Sequence, residues 1–143
     1  NWVEHCIPCG SWCCRGENIF ASREELVKLG VEEIIQKEDG SCMFLSNGGT
    51  CSIYEKRPFE CKIFPFDIGE RNGNFYWTIW DICPAHLKFN HEEYLRHLER
   101  TVLSSITKEY IRGYISFHSS KQPKKYGQGK TLLVRKVNFP VKN

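Results

Sequence analysis

The sequence predicts an α+β fold: a small domain with short β-hairpins, irregular cysteine-rich loops and one long amphipathic C-terminal helix. Three observations carry that expectation. All eight cysteines of the 143 residues fall between Cys6 and Cys83. Two Asn-Gly steps, Asn47-Gly48 and Asn72-Gly73, supply the positive-φ residues of tight hairpin turns. Beyond them, Tyr94, Leu98, Val102, Ile106 and Tyr110 recur at helical spacing. The length suits one domain, 1–143, with the cysteine-bearing part at 6–83 and a helix, a basic loop and a terminal strand appended at 84–143.

The first cysteines, Cys6, Cys9, Cys13 and Cys14, belong to a loop, because Pro8, Gly10 and Gly16 interrupt regular structure around them. A short helix follows. Ser22 caps it, Glu25 completes a capping box and Gly30 ends it, with a further turn expected over Val31 to Lys37. Cys42 to Ser46 and Cys51 to Tyr54 read as two short strands turning at Asn47-Gly48-Gly49, a hairpin that would bring Cys42 near Cys51. Arg57 to Phe66, with two prolines, reads as irregular or one helical turn. Asn74 to Ile82, rich in aromatic and β-branched residues, reads as a strand ending just before Cys83. The long helix runs from His91 to Ile111 with Asn90 as cap, and Thr131 to Phe139 closes the chain as a strand.

The cysteine spacing points to metal. Four thiols within nine residues reach one point through a single tight loop, whereas adjacent cysteines such as Cys13 and Cys14 pair with each other only under strain. An even cysteine count also suits a secreted disulfide scaffold, but such scaffolds lack the patterned helix and aromatic strands found outside this region. Thiolate ligation implies a reducing cytoplasm. No run approaches the roughly 18 apolar residues of a membrane span, and no signal-peptide pattern is present.

The order Cys6-x2-Cys9-x3-Cys13-Cys14, then Cys42, then Cys51-Ser-Ile-Tyr54-Glu-Lys-Arg57-Pro58-Phe-Glu-Cys61-Lys-Ile-Phe64-Pro65, then Cys83, resembles the YkgJ-type cysteine-cluster proteins, a zinc- or iron-chelating domain family. The stretch from Cys51 to Pro65 is the most specific part. One departure is the three residues, Gly10-Ser-Trp12, before the Cys-Cys pair, where the family more often has two. Family members are often labelled iron–sulfur oxidoreductases, and a related pattern occurs in flagellin lysine methylase. The resemblance implies thiolate-bound metal.

Eight thiolates fit two four-cysteine zinc sites, two 4Fe–4S clusters, or one cluster with further open ligands. Structural zinc draws on paired Cys-x2-Cys knuckles, and this chain has one such pair. A vicinal Cys-Cys serves a multi-iron cluster or two adjacent centres more easily than one zinc ion, so the balance favours an iron–sulfur cluster, 4Fe–4S in type, with zinc as the alternative. All eight, Cys6, Cys9, Cys13, Cys14, Cys42, Cys51, Cys61 and Cys83, are expected as ligands. Arg57 is expected beside the cofactor, its backbone held extended by Pro58 between Tyr54 and Cys61, where a guanidinium offsets thiolate charge. Tyr54 is assigned to the same surroundings, with a packing role weighed above hydrogen-bond donation. His5 and His86 adjoin cysteines but are not needed as ligands; His91, His97 and His118 have no partner spacing.

The net charge of +3 conceals an asymmetry: nine basic residues and one acidic follow Thr107, against eleven basic and sixteen acidic before it. The Lys121 to Lys130 segment reads as a solvated basic loop, with a redox or protein partner expected and nucleic acid a weaker expectation. No phosphate loop, Gly-x-Gly-x-x-Gly, His-Glu-x-x-His or Gly-x-Ser-x-Gly motif is present. Two functions follow: an iron–sulfur oxidoreductase or cluster-dependent modifying enzyme, or a non-catalytic zinc module serving protein or nucleic-acid interaction.

Overall fold

A computed structural model describes residues 19–80, 90–119 and 131–140. Helix α1, Arg23–Leu29, forms where the capping box predicts it. The Ser22 hydroxyl accepts from the Glu25 amide, the Glu25 carboxylate accepts from the Ser22 amide, and Gly30 closes the helix at φ 72°. The further turn expected over Val31 to Lys37 does not form; Gln36 there makes an isolated β-bridge to Cys42. A 3₁₀ turn, Tyr54–Lys56, leads through Arg57 and Pro58 into helix α2, Phe59–Ile63. This is the one helical turn allowed for that stretch. Arg57 adopts φ −57° and ψ 146°, the extended conformation that a following proline imposes.

Strands β1, Phe66–Arg71, and β2, Asn74–Trp80, form an antiparallel hairpin whose turn residues Asn72 and Gly73 have φ 53° and 81°. Positive φ at both central positions is the geometry that an Asn-Gly step accommodates without strain. Strand β3, Thr131–Lys136, pairs antiparallel with β2, giving the order β1-β2-β3 with an irregularity beside Trp77 and Thr78. Val137 continues the ladder by donating its amide to the Phe75 carbonyl at 2.9 Å.

One helix was expected from His91 to Ile111, and the structure corrects this to two: α3, His91–Thr101, and α4, Lys108–Ser119, separated by a 3₁₀ turn at Leu103–Ser105. The break has a local cause. The hydroxyls of Thr101, Ser104 and Ser105 donate to the carbonyls of His97, Thr101 and Val102, competing with the helical ladder. Ile106 is extended, and Thr107 restarts the helix by accepting the Tyr110 amide on Oγ1 at 3.0 Å. Asn90 caps α3 as expected, accepting from the Glu93 amide at 2.9 Å.

Alternation along the strands turns Phe66 and Ile68 of β1, and Phe75, Trp77 and Ile79 of β2, into one buried layer. Leu95 and Leu98 of α3, Ile111 and Tyr114 of α4, and Phe59 and Ile63 of α2 cover it. Each such side chain contributes about 1.5–3 kcal/mol of burial. Trp77 is fully enclosed, and its indole N–H donates to Glu99 at 3.0 Å. Glu99 also receives two bonds from the Arg135 guanidinium, at 2.8 and 2.9 Å, and the Asn138 amide at 2.7 Å. This buried carboxylate fastens α3 to β3, because every buried donor around it finds an acceptor there.

Candidate metal centre

Three of the eight predicted ligands, Cys42, Cys51 and Cys61, lie among the described residues, and all three are partly buried. Cys6, Cys9, Cys13, Cys14 and Cys83 lie outside the described residues, as do His5, His86 and the Lys121 to Lys130 loop.

Cys42 and Cys51 sit on consecutive tight turns. Asp39 accepts from both the amide and the hydroxyl of buried Ser41, at 3.0 and 2.6 Å, and Cys42 follows directly. Cys42 bridges to Gln36, and Cys51 bridges to Leu45 across the Asn47-Gly48-Gly49 reversal. The chain thus reverses at Asn47-Gly48-Gly49 as expected, the Ser46 amide donating to the Thr50 carbonyl and the Ser52 amide to the Phe44 carbonyl, both at 2.8 Å, with an isolated bridge in place of two full strands. Lys37 stabilises the second turn by donating Nζ to the Leu45 carbonyl at 2.6 Å. The Phe44 amide donates to Cys42 Sγ, 3.5 Å away.

Cys61 belongs to α2, which two carboxylates hold in place. Glu25 of α1 accepts the Phe59 amide at 2.8 Å, filling the N-terminus of α2, and also accepts the Tyr110 hydroxyl. Reciprocally, Glu60 of α2 accepts the Phe20 amide at 2.7 Å. The segment leading out of the first cysteine group is thus clamped to the helix that carries Cys61. Phe20 packs edge-on against Tyr110, Tyr114 and Phe117, with centroids 5.4, 5.9 and 5.4 Å away. His118 Nε2 lies 2.9 Å from the Glu60 carboxylate, at ion-pair distance without hydrogen-bond alignment, and its ring packs on Tyr114.

The surroundings of Cys61 are low in dielectric and rich in negative charge. Burial pushes the Tyr110 phenol well above its ordinary value, with the Glu25 hydrogen bond next and the charges of Glu25, Glu60 and Cys61 adding to it. Burial likewise raises Tyr114, with Asp67, Glu60 and Cys61 contributing and the phenol donating to Asp67 at 2.5 Å. Both phenols stay protonated beside the Cys61 sulfur.

Arg57 and Tyr54 pack on each other. The guanidinium carbon stands 3.7 Å from the Tyr54 ring centroid. Its Nε donates to the Tyr54 carbonyl at 2.7 Å and Nη1 to the Cys61 carbonyl at 3.2 Å. Arg57 therefore braces the backbone of the Cys51 to Cys61 segment. Nothing local in the sequence marks Glu60, whose partners Phe20 and His118 are 40 or more residues away.

The donor chemistry fits a soft metal. Each of the three described positions offers a thiol sulfur, and a backbone N–H approaches one of them. Among the described residues no three His, Cys, Asp or Glu side chains converge as a complete site.

The profile of the CxxCxxCC family, described as "Putative zinc- or iron-chelating domain", matches residues 5–94. An uncharacterized protein of Methanocaldococcus jannaschii is 28% identical over 97 residues, covering 53% of this chain and 53% of that protein. The chain thus spans about half the length of the curated relative it matches. No solved structure matches. The match takes in all eight cysteines together with the Arg57 and Tyr54 brace, and the chain belongs to the CxxCxxCC family of zinc- or iron-chelating domains.

Proposed function

We propose that this chain holds an iron–sulfur cluster on its cysteines and acts in redox or cluster-dependent modifying chemistry in a reducing cytoplasm. Family membership supports metal binding by zinc or iron. The observation that favours the cluster is the vicinal Cys13-Cys14 pair within an all-cysteine set that has a single Cys-x2-Cys knuckle. When bound, a 4Fe–4S cluster supplies one-electron chemistry. This chain's own residues provide cysteine sulfurs, an aromatic wall of protonated Tyr110 and Tyr114, and the Arg57 brace that sets the course of the backbone through Cys61. The acidic N-terminal part and basic C-terminal part suit docking of a redox or protein partner.

The zinc reading keeps the same ligands and assigns them to folding, with metal supplying stability to the turn-rich Cys42 to Cys61 region. The experiment is anaerobic purification of the full chain, followed by iron, zinc and acid-labile sulfide analysis and a visible spectrum of one sample. Iron with about equal sulfide and broad visible absorption supports the cluster. About two zinc ions per chain without sulfide refutes it and makes the centre structural.

A further inference from the structure

Beside the cysteine-bearing segment, a cleft of about 340 Å³ opens between the Tyr54 to Lys62 stretch and the broken α3–α4 connection. Arg57 and Lys62 stand on one wall; Leu98, Val102 and Ile106 form an apolar strip on the other. We propose that this cleft binds a small organic anion, a carboxylate or phosphate head carried on a short apolar body.

Arg57 carries the argument. A guanidinium presents about five N–H donors in one plane. Only two of those on Arg57 go to protein acceptors among the described residues, the carbonyls of Tyr54 and Cys61. The group is nevertheless immobilised by its stack on Tyr54 and by the Pro58-imposed backbone. A cation held rigid with donors to spare, in a concavity, has already lost the side-chain entropy that anion recognition ordinarily costs. Lys62, one helical turn further on, makes no ion pair among the described residues and lines the same space.

The cleft also holds two carboxylates, and neither cancels these cations. Glu25 is occupied by the amides of Ser22 and Phe59 and by the Tyr110 hydroxyl. Glu55 is exposed, where water and salt screen its charge. The helix break contributes too, because Val102, Ser105 and Ile106 reach the cleft from the non-helical connection. Since Arg57 also holds the Cys61 carbonyl, an anion seated here touches the brace of the cysteine segment.

This proposal does not depend on which metal the cysteines hold. Its test is a titration of the full-length, metal-loaded chain with hexanoate and with hexyl phosphate, followed by the Arg57 Nε–H and backbone amide resonances. Hexan-1-ol is the uncharged control. Saturable shifts at Arg57, Lys62 and Val102 with either anion are expected, hexan-1-ol binding about tenfold more weakly. The Arg57→Lys variant should bind about tenfold more weakly, because a point charge cannot replace the planar fork. If Arg57→Lys loses its dispersed spectrum, Lys62→Gln carries the test, with weakening of about threefold expected. No saturable shift with either anion, equal binding of the alcohol, or unchanged affinity in every folded variant overturns the proposal. Metal content measured on the same samples separates failure of the cleft from failure of the cluster assignment.

Discussion

Replacing Glu25 by alanine should cost about 2–4 kcal/mol of stability and loosen the placement of Cys61. The carboxylate accepts three donors: the Ser22 amide at 2.9 Å, the Phe59 amide at 2.8 Å and the Tyr110 hydroxyl. The Ser22 contact is the capping box, whose loss costs about 1 kcal/mol. The other two donors adjoin the core, since Phe59 is 1% exposed and its ring packs 5.4 Å from that of Tyr110. Leaving a buried donor without an acceptor costs about 1–3 kcal/mol, and partial relaxation keeps the total below the simple sum.

Glu25→Gln sharpens the test. Its amide keeps one acceptor oxygen but turns an NH₂ group towards one of three donors, so it should fall between wild type and alanine. The neighbouring Glu24→Ala removes only an exposed i,i+4 contact to Lys28 at 3.8 Å and should be nearly neutral. The assay is urea unfolding of the metal-loaded chain, followed by tryptophan fluorescence, with metal content determined before unfolding. If Glu25→Ala and Glu24→Ala unfold at the same urea concentration with equal metal, the Glu25 clamp between α1, α2 and α4 is wrong.

Other perturbations report on separate parts of the molecule. Burial raises the pKa of Glu99, but the hydrogen bonds from Arg135, Asn138 and Trp77 outweigh it and hold the group below its ordinary 4.5. The stability it supplies is therefore present above about pH 4.5 and lost as the pH falls through the lower folded value; in Glu99→Gln that part of the acid sensitivity should vanish, as urea midpoints between pH 7 and pH 3 will show. Thr107→Ala removes the acceptor for the Tyr110 amide and should destabilise by about 1 kcal/mol, read by thermal unfolding. Substituting Cys61→Ser should reduce bound metal and its visible or sulfide signature; full retention would remove Cys61 from the ligand set.

Short-range signals account for what was legible in the sequence. Ser22 with Glu25, Asn90 ahead of α3, and the Asn72-Gly73 turn all act within a few residues, so each could be read from its own neighbourhood. The break between α3 and α4 is invisible to apolar periodicity although its signal is local. The apolar period ran unbroken through Val102 and Ile106, while Ser104, Ser105 and Thr107 carried the hydroxyls that end one helix and start the next. Periodicity registers which face is apolar and takes no account of competing hydrogen bonds.

By itself the sequence determined the cysteine set, the α+β class, the caps and the extended backbone at Arg57, because each follows from residue type and spacing. Tertiary structure alone decided where those pieces meet. Glu25 reaches Phe59 across 34 residues, Glu60 reaches Phe20 across 40, and Arg135 reaches Glu99 across 36. Arg57 illustrates the division. Its place beside Cys61 is written in the chain, yet its guanidinium turns to the Cys61 carbonyl rather than to sulfur, leaving further donors for the cleft. Directions of this kind depend on which distant groups desolvate together, and a linear pattern does not encode that.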